Sequence, residues 1–284
     1  MLEVLDRLPA ASTSHLPLTE AQKQQFVRDG YLILRQLYSP TEITHIRETF
    51  MTQAKDGPVE GMSDRVAGSS SDPLVFYPRM INPHLHPEHE VGSVAREFLL
   101  DTRLKPILSD LLEEEPLGVQ TMFYFKPAGA RGQELHQDNF YLRVKPGTCM
   151  AAWLAVDDVD VENGGMRVVP GSHREEISCP EKADSAVSFT TDYVPVPEGM
   201  KAVHADMKAG DVLFFNGSLI HGSTPNTSAA RFRRSLIAHY VPNGSQELAH
   251  WYTALAFNGD RVEIAPAEGG GPCGTAQVAS MVPH

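Results

Sequence analysis

Cysteine is scarce in this chain, and its scarcity argues against two classes of protein. The 284 residues contain three cysteines, Cys149, Cys179 and Cys273, which form an odd and widely spaced set. Such a set predicts neither a disulfide framework nor a thiolate metal site. Because a chain without disulfides suits a reducing compartment, we expect a cytoplasmic location.

Long apolar runs and an excess of basic residues are also lacking. The first residues carry acids among their leucines, which predicts neither a secretory signal nor a membrane span. The 24 Lys and Arg are outnumbered by 36 Asp and Glu, so the formal net charge is −12. Because phosphate-rich surfaces are held chiefly by Lys and Arg, we expect neither nucleic acid nor membrane as a partner. A small-molecule substrate is the expected partner, and the oligomeric state is left open.

Helical signals occupy residues 19–112. Thr19 and Gln22 form a capping-box pattern, and Ser39 stands where a second helix would begin. Both patterns predict scaffold helices in an N-terminal region. Residues 54–73 are rich in Gly, Ser, Asp and Pro, which predicts a loop that could act as a lid over a site.

Short β-type runs replace the helical period from residue 117 onward. They alternate with clusters of Gly, Pro, Asp and Asn, which is typical of a cupin-like jelly roll, also called a double-stranded β-helix. We therefore predict a mainly β fold with flanking α-helices, as one catalytic domain over residues 1–284 with its jelly-roll core in 117–243. The small-residue segment 265–284 predicts a disordered tail. The predicted strands are 119–126, 135–142, 149–157, 166–169, 202–207, 211–215, 219–221 and 232–241.

An imidazole and a carboxylate lie two residues apart in the predicted strand 135–142. Successive side chains of a strand point to opposite faces, so His136 and Asp138 would share one face. His221 ends a short apolar run far downstream, where a third ligand is expected. Two neutral imidazoles and one carboxylate leave coordination positions open, which suits Fe(II) chemistry with oxygen. A structural zinc site would require four closed ligands.

Two other polar clusters have alternative interpretations. His84, His86 and His89 could bind zinc, but neighbouring prolines make the backbone irregular and no thiolate is near, which favours a partly exposed loop. The acids of residues 157–165 could suggest a calcium site. Since this stretch lacks the bidentate Glu that closes an EF-hand loop, we predict a turn between strands.

Several motifs follow one another in a specific order. They are QTMFYFKP at 120–127, HQD at 136–138, the acidic turn 157–165 followed by PGSH at 170–173, and HGSTPN at 221–226 with Arg233 downstream. Over roughly residues 19–243 this order resembles the phytanoyl-CoA dioxygenase (PhyH) family of Fe(II)/2-oxoglutarate oxygenases. The resemblance implies that Fe(II) binds His136, Asp138 and His221, and that 2-oxoglutarate and O₂ are cosubstrates. It also implies that His173 supports the site without binding the metal.

The distal carboxylate of 2-oxoglutarate needs a cationic partner inside the barrel. A buried carboxylate calls for a charge-assisted and preferably bidentate hydrogen bond, which arginine supplies. Strand alternation puts Arg231 and Arg233 on one face and Arg234 on the other, which does not choose between them. In the family the basic residue usually comes eleven after the distal His, whereas Arg233 comes twelve after His221. The resemblance therefore implies Arg233 with a one-residue insertion, and Arg231 and Arg234 stay open.

Four further residues match cosubstrate positions by the same resemblance. Ser223, two after His221, and Trp153 are expected to line the pocket, although Trp153 suits a plain core position equally well. Gln120 is a weaker candidate for the same pocket. Arg79 stands where the family often has a basic residue that reaches the cosubstrate, with a surface arginine as the alternative.

Candidate substrate contacts are mostly polar, and comprise Gln137, Asn139, Tyr141 and Arg167. They favour a compact polar or anionic metabolite, or a natural-product intermediate, over a long acyl-CoA. The predicted function is hydroxylation of an unactivated C–H bond with decarboxylation of 2-oxoglutarate to succinate. A desaturase, an epoxidase and an acyl-CoA hydroxylase are alternatives within the class.

Outside that class, the alternatives are a non-catalytic jelly-roll protein that binds a metabolite and a zinc hydrolase. The survival of all three ligands and the arginine argues against the first. The second would need a general base near the metal, which the sequence does not identify. The carboxylate of Asp138 disfavours a halogenase, because related halogenases have Gly or Ala at this place.

Overall fold

The computed structural model describes residues 18–64, 72–268 and 271–273. Capping boxes at Thr19 and Ser39 start the first two helices, as their sequence patterns predict. None of the helices in the described part of the chain is long and apolar enough to cross a membrane. The α-helices are α1 (Glu20–Asp29), α2 (Pro40–Asp56), α3 (Glu90–Leu99), α4 (Leu104–Leu112) and α5 (Asn139–Leu142), with 3-10 turns at Pro73–Val75, Pro83–Leu85, Ser172–Arg174 and Gly271–Cys273.

Short strands, antiparallel except for one pair, make up the rest of the regular structure. In chain order they are β1 (Tyr31–Leu34), β2 (Met80–Ile81), β3 (Pro116–Tyr124), β4 (Gln133–His136), β5 (Met150–Ala155), β6 (Met166–Val168), β7 (Glu181–Lys182), β8 (Asp192–Tyr193), β9 (Val203–His204), β10 (Val212–Asn216), β11 (His221–Ser223), β12 (Ser235–Pro242), β13 (Glu247–Leu248), β14 (Ala254–Leu255), β15 (Arg261–Val262) and β16 (Ala265–Pro266). A strand is present in every stretch where the sequence predicts one. The jelly-roll prediction is confirmed.

Two sheets form the body of this jelly roll. The major sheet has the order β1-β10-β5-β12-β3-β14-β15, with β2 also paired to β3, and the minor sheet has the order β4-β11-β6-β9. The remaining pairs are β7 with β8 and β13 with β16, the latter being parallel. The sheets pack through Met122, Trp153 and Phe215 of the major sheet and Met166 and Val168 of the minor sheet.

The helices cover the outer face of the major sheet. Phe50 of α2 stacks on Phe123 of β3 with ring centres 3.8 Å apart, and both side chains are fully buried. Phe98 and Leu99 of α3 join the same apolar cluster. Because strand residues alternate, Phe123 faces the helices while its neighbours Met122 and Tyr124 face the minor sheet. The helical region thus closes one side of the barrel and leaves the space between the sheets for a site.

Of the predicted strand 135–142, only residues 135–136 are extended, and the prediction is wrong for residues 137–142. β4 ends at His136, and Asp138 has helical dihedral angles of φ −61° and ψ −36° at the start of the single turn α5. The Asn139 side-chain oxygen accepts a hydrogen bond from the Val144 backbone N–H at 2.9 Å, which favours a turn over an extended ladder. His136 and Asp138 therefore do not converge through strand alternation.

The expectation of unpaired cysteines is also wrong. Cys179 and Cys273 form a disulfide across a sequence separation of 94 residues, while Cys149 is free and buried. Spacing along the chain could not reveal this pair, because the fold alone brings the two Cα atoms to 5.1 Å. The disulfide removes the support that cysteine usage gave to a reducing compartment.

Two predictions fall partly outside the described residues. Of the predicted lid at 54–73, residues 65–71 are not described, and residues 54–56 belong to α2. Of the predicted disordered tail at 265–284, residues 269–270 and 274–284 are not described. Strand β16 and the disulfide at Cys273 lie within that tail and are ordered elements.

Candidate metal centre and cosubstrate pocket

Three side chains converge between the two sheets. His136 ends β4 and lies directly opposite His221, which begins the neighbouring strand β11. Asp138 follows β4 by two residues, and its Oδ1 lies 3.5 Å from the Nε2 atoms of both histidines. One ligand atom from each of the three lies within 4.8 Å of the others, and all three residues are buried. In the described part of the chain this is the one cluster of three His, Cys, Asp or Glu that could hold a metal ion.

Backbone carbonyls orient both imidazoles. The Nδ1 of His136 bonds the carbonyl of Glu134 at 2.8 Å, and the Nδ1 of His221 bonds that of Leu219 at 2.9 Å. A carbonyl only accepts, so each Nδ1 carries a proton and each Nε2 is the nitrogen left to bind a metal. Both Nε2 atoms face the space beside Asp138.

The protonation of the cluster suits a divalent metal. Burial raises the pKa of Asp138, but His221, His239 and His136 together lower it by more. The pKa of Asp138 therefore lies well below the ordinary value. Burial lowers the pKa of His221 to about 4, against an opposing effect of Asp138. One carboxylate and two neutral imidazoles are the donor set of a facial iron site with open positions, so these residues fit Fe(II).

A cleft of about 370 Å³ opens beside the cluster. Ser223, Trp153 and Arg233, three of the residues expected to bind the cosubstrate, line it together with the metal cluster. Trp153 and Arg233 are each 2 % exposed. The cleft therefore joins a metal centre at one end to a buried guanidinium at the other.

Arg233 is a buried cation without a carboxylate partner among the described residues. Its Nε donates to the carbonyl of Gly164 at 3.3 Å and its Nη1 to Ser235 Oγ at 3.0 Å. Its guanidinium carbon lies 5.3 Å from the centre of the Trp153 ring. Burial lowers the pKa of Arg233 to about 10, partly offset by Tyr124 and Asp157. An anion bound in the cleft would stabilise this charge.

The two neighbouring arginines are neutralised elsewhere. Arg234 makes a two-pronged pair with Asp157, with both nitrogen–oxygen distances at 2.8 Å. Arg231 lies at the surface and pairs with Asp160 at 2.7 Å and Glu162 at 3.2 Å. Strand alternation left three arginines as candidates for the cosubstrate. Of these three, Arg233 is the one that lines the cleft.

Lys126 is a second buried basic residue of this region, and the sequence analysis did not predict a role for it. Its Nζ donates to Ser223 Oγ at 2.7 Å and to the carbonyls of Gly164 and Thr224 at 3.0 and 2.6 Å. Burial, Arg233 and Arg167 lower its pKa well below the ordinary value. Its backbone has a positive φ of 35°, an uncommon conformation for lysine. A signal existed, because Lys126 stands in the motif at 120–127.

Arg79 and Gln120 do not line the cleft. Arg79 donates to Asp64 at 2.7 Å and to the hydroxyl of Tyr124 at 3.1 Å, and it borders a smaller cavity that Tyr124 separates from the cleft. Gln120 is buried in β3 beside His239 of β12. Neither residue reaches the space where the other cosubstrate candidates meet.

The four candidate substrate contacts are not brought together. The Gln137 side chain bonds backbone atoms of Ser218 and Ser178 at 2.8 and 2.9 Å, so it faces away from the cleft. Asn139 is used in its own turn, as described above. The prediction that these two residues face a substrate disagrees with the structure.

Tyr141 and Arg167 lie nearer to the metal cluster. Tyr141 packs edge-on against His136, with ring centres 6.4 Å apart, and its hydroxyl donates to Asp192 at 2.5 Å. Arg167 lies on β6 next to Met166, which lines the cleft, and it pairs with Glu134 at 3.5 Å. Both side chains are partly exposed at the rim of the minor sheet.

Among the residues that the structure describes, the other polar clusters do not bring three metal-ligand atoms together. His84 is buried and bonds Thr121 Oγ1 through Nδ1 at 2.8 Å. The acidic stretch 157–165 links β5 to β6, and its carboxylates pair with cations, for example Asp158 with Lys208 at 2.8 Å. His173 bonds the carbonyl of Val27 at 3.2 Å, outside the cleft.

Two more residues of the cleft escaped the sequence analysis. His239 of β12 bonds Asp138, and Gln133 of β4 places its Nε2 3.2 Å from the Nε2 of His136. Strand alternation put His239 on the same face as Arg233, so a signal was present for it. Gln133 gave none, because the β4–β11 register is irregular at this point.

The jelly roll holds a two-histidine, one-carboxylate cluster, which is the donor set of non-haem iron oxygenases. With the family match that follows, the protein is a 2-oxoglutarate-dependent enzyme of that class. Comparison of the sequence with protein families gives a match to the phytanoyl-CoA dioxygenase (PhyH) model over residues 26–235. The chain belongs to the phytanoyl-CoA dioxygenase family.

Known relatives agree with this assignment. The chain is 26 % identical over 253 residues to phytanoyl-CoA dioxygenase 1 of Oryza sativa, which covers 79 % of this chain and 89 % of that protein. It is 26 % identical over 259 residues to a phytanoyl-CoA dioxygenase domain-containing protein 1 homolog of Dictyostelium discoideum, covering 80 % and 92 %.

Solved structures share the fold. The 2-oxoglutarate-dependent carbocyclase SnoK from nogalamycin biosynthesis matches with a TM-score of 0.63 and 23 % identity, over 81 % of this chain and 86 % of that chain. EctD from S. alaskensis, solved with 2-oxoglutarate and 5-hydroxyectoine, matches with a TM-score of 0.62 and 21 % identity, over 82 % and 79 %.

Proposed function

We propose that this enzyme hydroxylates an unactivated C–H bond of a small polar metabolite or natural-product intermediate and converts 2-oxoglutarate to succinate and CO₂. His136, Asp138 and His221 would hold Fe(II) through two Nε2 atoms and one carboxylate oxygen. The iron, when bound, supplies the activation of O₂ that C–H oxidation requires. The protein supplies the binding, the orientation and the exclusion of water.

The observation that carries the proposal is the unbalanced positive charge at the far end of the cleft. Arg233 lines the cleft, is 2 % exposed and forms no ion pair with a carboxylate of the described residues. Lys126 is equally buried behind Ser223, to whose hydroxyl its Nζ donates. A buried charge is costly unless it is paired. A dicarboxylate that spans the cleft would supply the missing anion, and its other end would reach the metal cluster.

Ser223 and Trp153 would complete the binding of the distal carboxylate. The Ser223 hydroxyl accepts from Lys126, so its own proton is free to be donated to an anion. Trp153 lies against the guanidinium of Arg233 and fixes its orientation. Arg79 would act one step away, by holding the Tyr124 hydroxyl at the edge of the cleft. We assign no direct contact to Gln120.

The nature of the substrate is supported by what surrounds the cleft. Tyr141 and Arg167 stay candidates for its recognition, since both lie at the rim near His136 or Met166. The net charge of −12 offers no extended basic surface for the phosphates of a CoA thioester. Two structural neighbours are named for small-molecule chemistry, a carbocyclase of nogalamycin biosynthesis and an enzyme solved with 5-hydroxyectoine. The curated relatives named phytanoyl-CoA dioxygenase keep acyl-CoA hydroxylation as the alternative.

The prediction of a cytoplasmic location rests on the expected absence of disulfides. The Cys179–Cys273 disulfide argues against it, because disulfides persist mainly in oxidising compartments.

The test is succinate release by the purified protein with Fe(II), ascorbate and 2-oxoglutarate, with and without EDTA. Small amino acids, phosphonates, natural-product intermediates and phytanoyl-CoA are added one by one, and hydroxylated product is sought by mass spectrometry. We expect EDTA-sensitive succinate release that a small polar compound stimulates.

Each alternative has its own outcome in this assay. Stimulation by phytanoyl-CoA alone would replace the proposed substrate class. Tight 2-oxoglutarate binding without succinate would indicate a binding protein. Substrate hydrolysis supported by Zn(II) without 2-oxoglutarate would indicate a hydrolase.

A further inference from the structure

A hydrogen bond joins the two sheets at the metal cluster. The Nε2 of His239 on β12 lies 2.9 Å from Oδ2 of Asp138, and the two residues are 101 positions apart. Each is 1 % exposed. β12 lies in the middle of the major sheet, paired with β3 and β5, whereas Asp138 follows a strand of the minor sheet. His239 therefore contacts Asp138 from a rigid part of the fold.

The two oxygens of Asp138 have different partners. Oδ1 lies 3.5 Å from the Nε2 atoms of His136 and His221, at the centre of the cluster. Oδ2 is occupied by His239. A carboxylate can bind a metal through one oxygen or through both. With Oδ2 held by a donor, Oδ1 alone is left to bind.

The proton that His239 donates can be assigned. Its Nδ1 is buried and has no hydrogen-bond partner in the described part of the chain. A carboxylate oxygen only accepts, so the bond to Asp138 needs a proton on Nε2. The Nε2–H of His239 therefore donates to Oδ2 of Asp138.

Asp138 depends on this partner more than the two histidines depend on theirs. Local backbone carbonyls, two residues before each histidine, orient His136 and His221. Asp138 sits in a helical turn after the strand has ended, so no ladder fixes its side chain. Its carboxylate can rotate about the Cβ–Cγ bond unless a second group holds it.

We propose that His239 is a positioning residue that keeps Asp138 a one-oxygen ligand and thereby keeps the coordination positions for 2-oxoglutarate and O₂ open. This inference rests on the proposed iron site. It assigns to His239 no contact with substrate or metal. Hydrogen-bond partners of metal ligands typically contribute about 10- to 100-fold in metal affinity or activity.

The test uses Co(II) as the probe, because its visible absorption reports coordination number. Affinity and spectrum are measured for the full chain and for His239→Gln, His239→Asn and His239→Leu. A Gln side chain can place an amide N–H where Nε2 lies, whereas the shorter Asn ends near the position of Nδ1. We expect Leu and Asn to lower Co(II) affinity about 10- to 100-fold and to change the spectrum, and Gln to restore most of both.

Two controls separate positioning from folding. His84→Leu removes another buried histidine, one that bonds Thr121 and lies outside the cleft, and it should leave the Co(II) affinity and spectrum unchanged. The thermal midpoint of each metal-free variant is measured alongside. If His239→Leu does not fold, the Gln and Asn variants decide the question, since both are polar and differ in reach.

Equal affinities and spectra for Gln and Asn would overturn the proposal, as would a Leu variant that binds Co(II) like the unmodified chain. Failure of the proposed function has a different signature. In that case His136→Ala would leave Co(II) binding intact, or Co(II) binding would depend on all three ligands while 2-oxoglutarate is never consumed. The second result would leave the role of His239 standing.

Discussion

The two ends of the cleft are prepared for their ligands in opposite ways. At the metal end, every ligand has an internal partner: carbonyls for His136 and His221, and His239 for Asp138. At the far end, the buried guanidinium of Arg233 has no carboxylate partner among the described residues. At the first end, all three ligand side chains are already oriented by hydrogen bonds. At the second end, a buried charge has no partner of opposite sign among the described residues. The metal end is therefore preorganised, whereas the proposed cosubstrate end would be stabilised by a bound anion.

The largest expected effect comes from breaking the metal end. His136→Ala, Asp138→Ala or His221→Ala should each abolish turnover and weaken Fe(II) binding, because two remaining ligands hold a labile divalent ion poorly. Metal content and succinate release measure the two effects. Near-normal activity in any of the three variants would remove that residue from the ligand set.

Breaking the far end should spare the metal and affect the cosubstrate. Arg233→Ala should raise the concentration of 2-oxoglutarate needed for half-maximal rate by about two to three orders of magnitude, since loss of one partner of a buried charge pair costs about 3 to 5 kcal/mol. Fe(II) affinity without 2-oxoglutarate should change little.

Arg234→Ala is the matched control, because it removes the adjacent arginine, whose partner is Asp157. It should lower thermal stability and leave the 2-oxoglutarate requirement nearly unchanged. Arg231→Ala, at the surface, should do neither. A large cosubstrate effect in Arg234→Ala with none in Arg233→Ala would reverse the assignment.

A smaller effect should sharpen the same comparison. Lys126→Met removes the amine that donates to the Ser223 hydroxyl and so affects the cosubstrate through Ser223. It should raise the 2-oxoglutarate requirement about tenfold, equivalent to about 1.4 kcal/mol. Steady-state kinetics with 2-oxoglutarate as the varied substrate measure it. Lys208→Met, which removes an exposed lysine paired with Asp158, is the control. Equal effects of the two substitutions would show that Lys126 does not contribute to 2-oxoglutarate binding.

The smallest expected effect on catalysis comes from a buried histidine outside the cleft, which acts on stability and not on the metal or the cosubstrate. Burial, with the charges of Arg96 and His86, lowers the pKa of His84 to about 3. Below pH 6.5 the unfolded chain binds this proton and the folded chain does not, so the free energy of unfolding falls as the pH falls toward 3. Between pH 7 and 5 the loss should reach about 2 kcal/mol.

His84→Gln should remove that part of the acid-side loss without changing metal binding. Denaturant unfolding of the metal-free protein at pH 7 and pH 5 measures the difference. If the two proteins lose equal stability between these pH values, the buried His84 is not the group that titrates.

Local signals in the sequence were enough for much of the fold. The capping box at Thr19 and the N-cap residue Ser39 before Pro40 predicted the first helices, and short apolar runs between turn residues predicted most strands of the two sheets. These signals act within a few residues, where hydrogen-bonding options and side-chain period are set by the chain itself. The metal ligands were also within reach, because His136, Asp138 and His221 stand in motifs whose order is specific.

The sequence by itself thus determined the elements, the family and the three ligands, all of which depend on residue type and short spacing. Tertiary structure decided the rest: the turn that carries Asp138, the bond from His239, the Cys179–Cys273 pair, and the placement of Arg233 in the cleft while Arg234 pairs with Asp157. Each of these depends on a contact between distant positions, such as the 101 residues between Asp138 and His239. No local period records such a contact, because it exists only once two sheets have packed face to face.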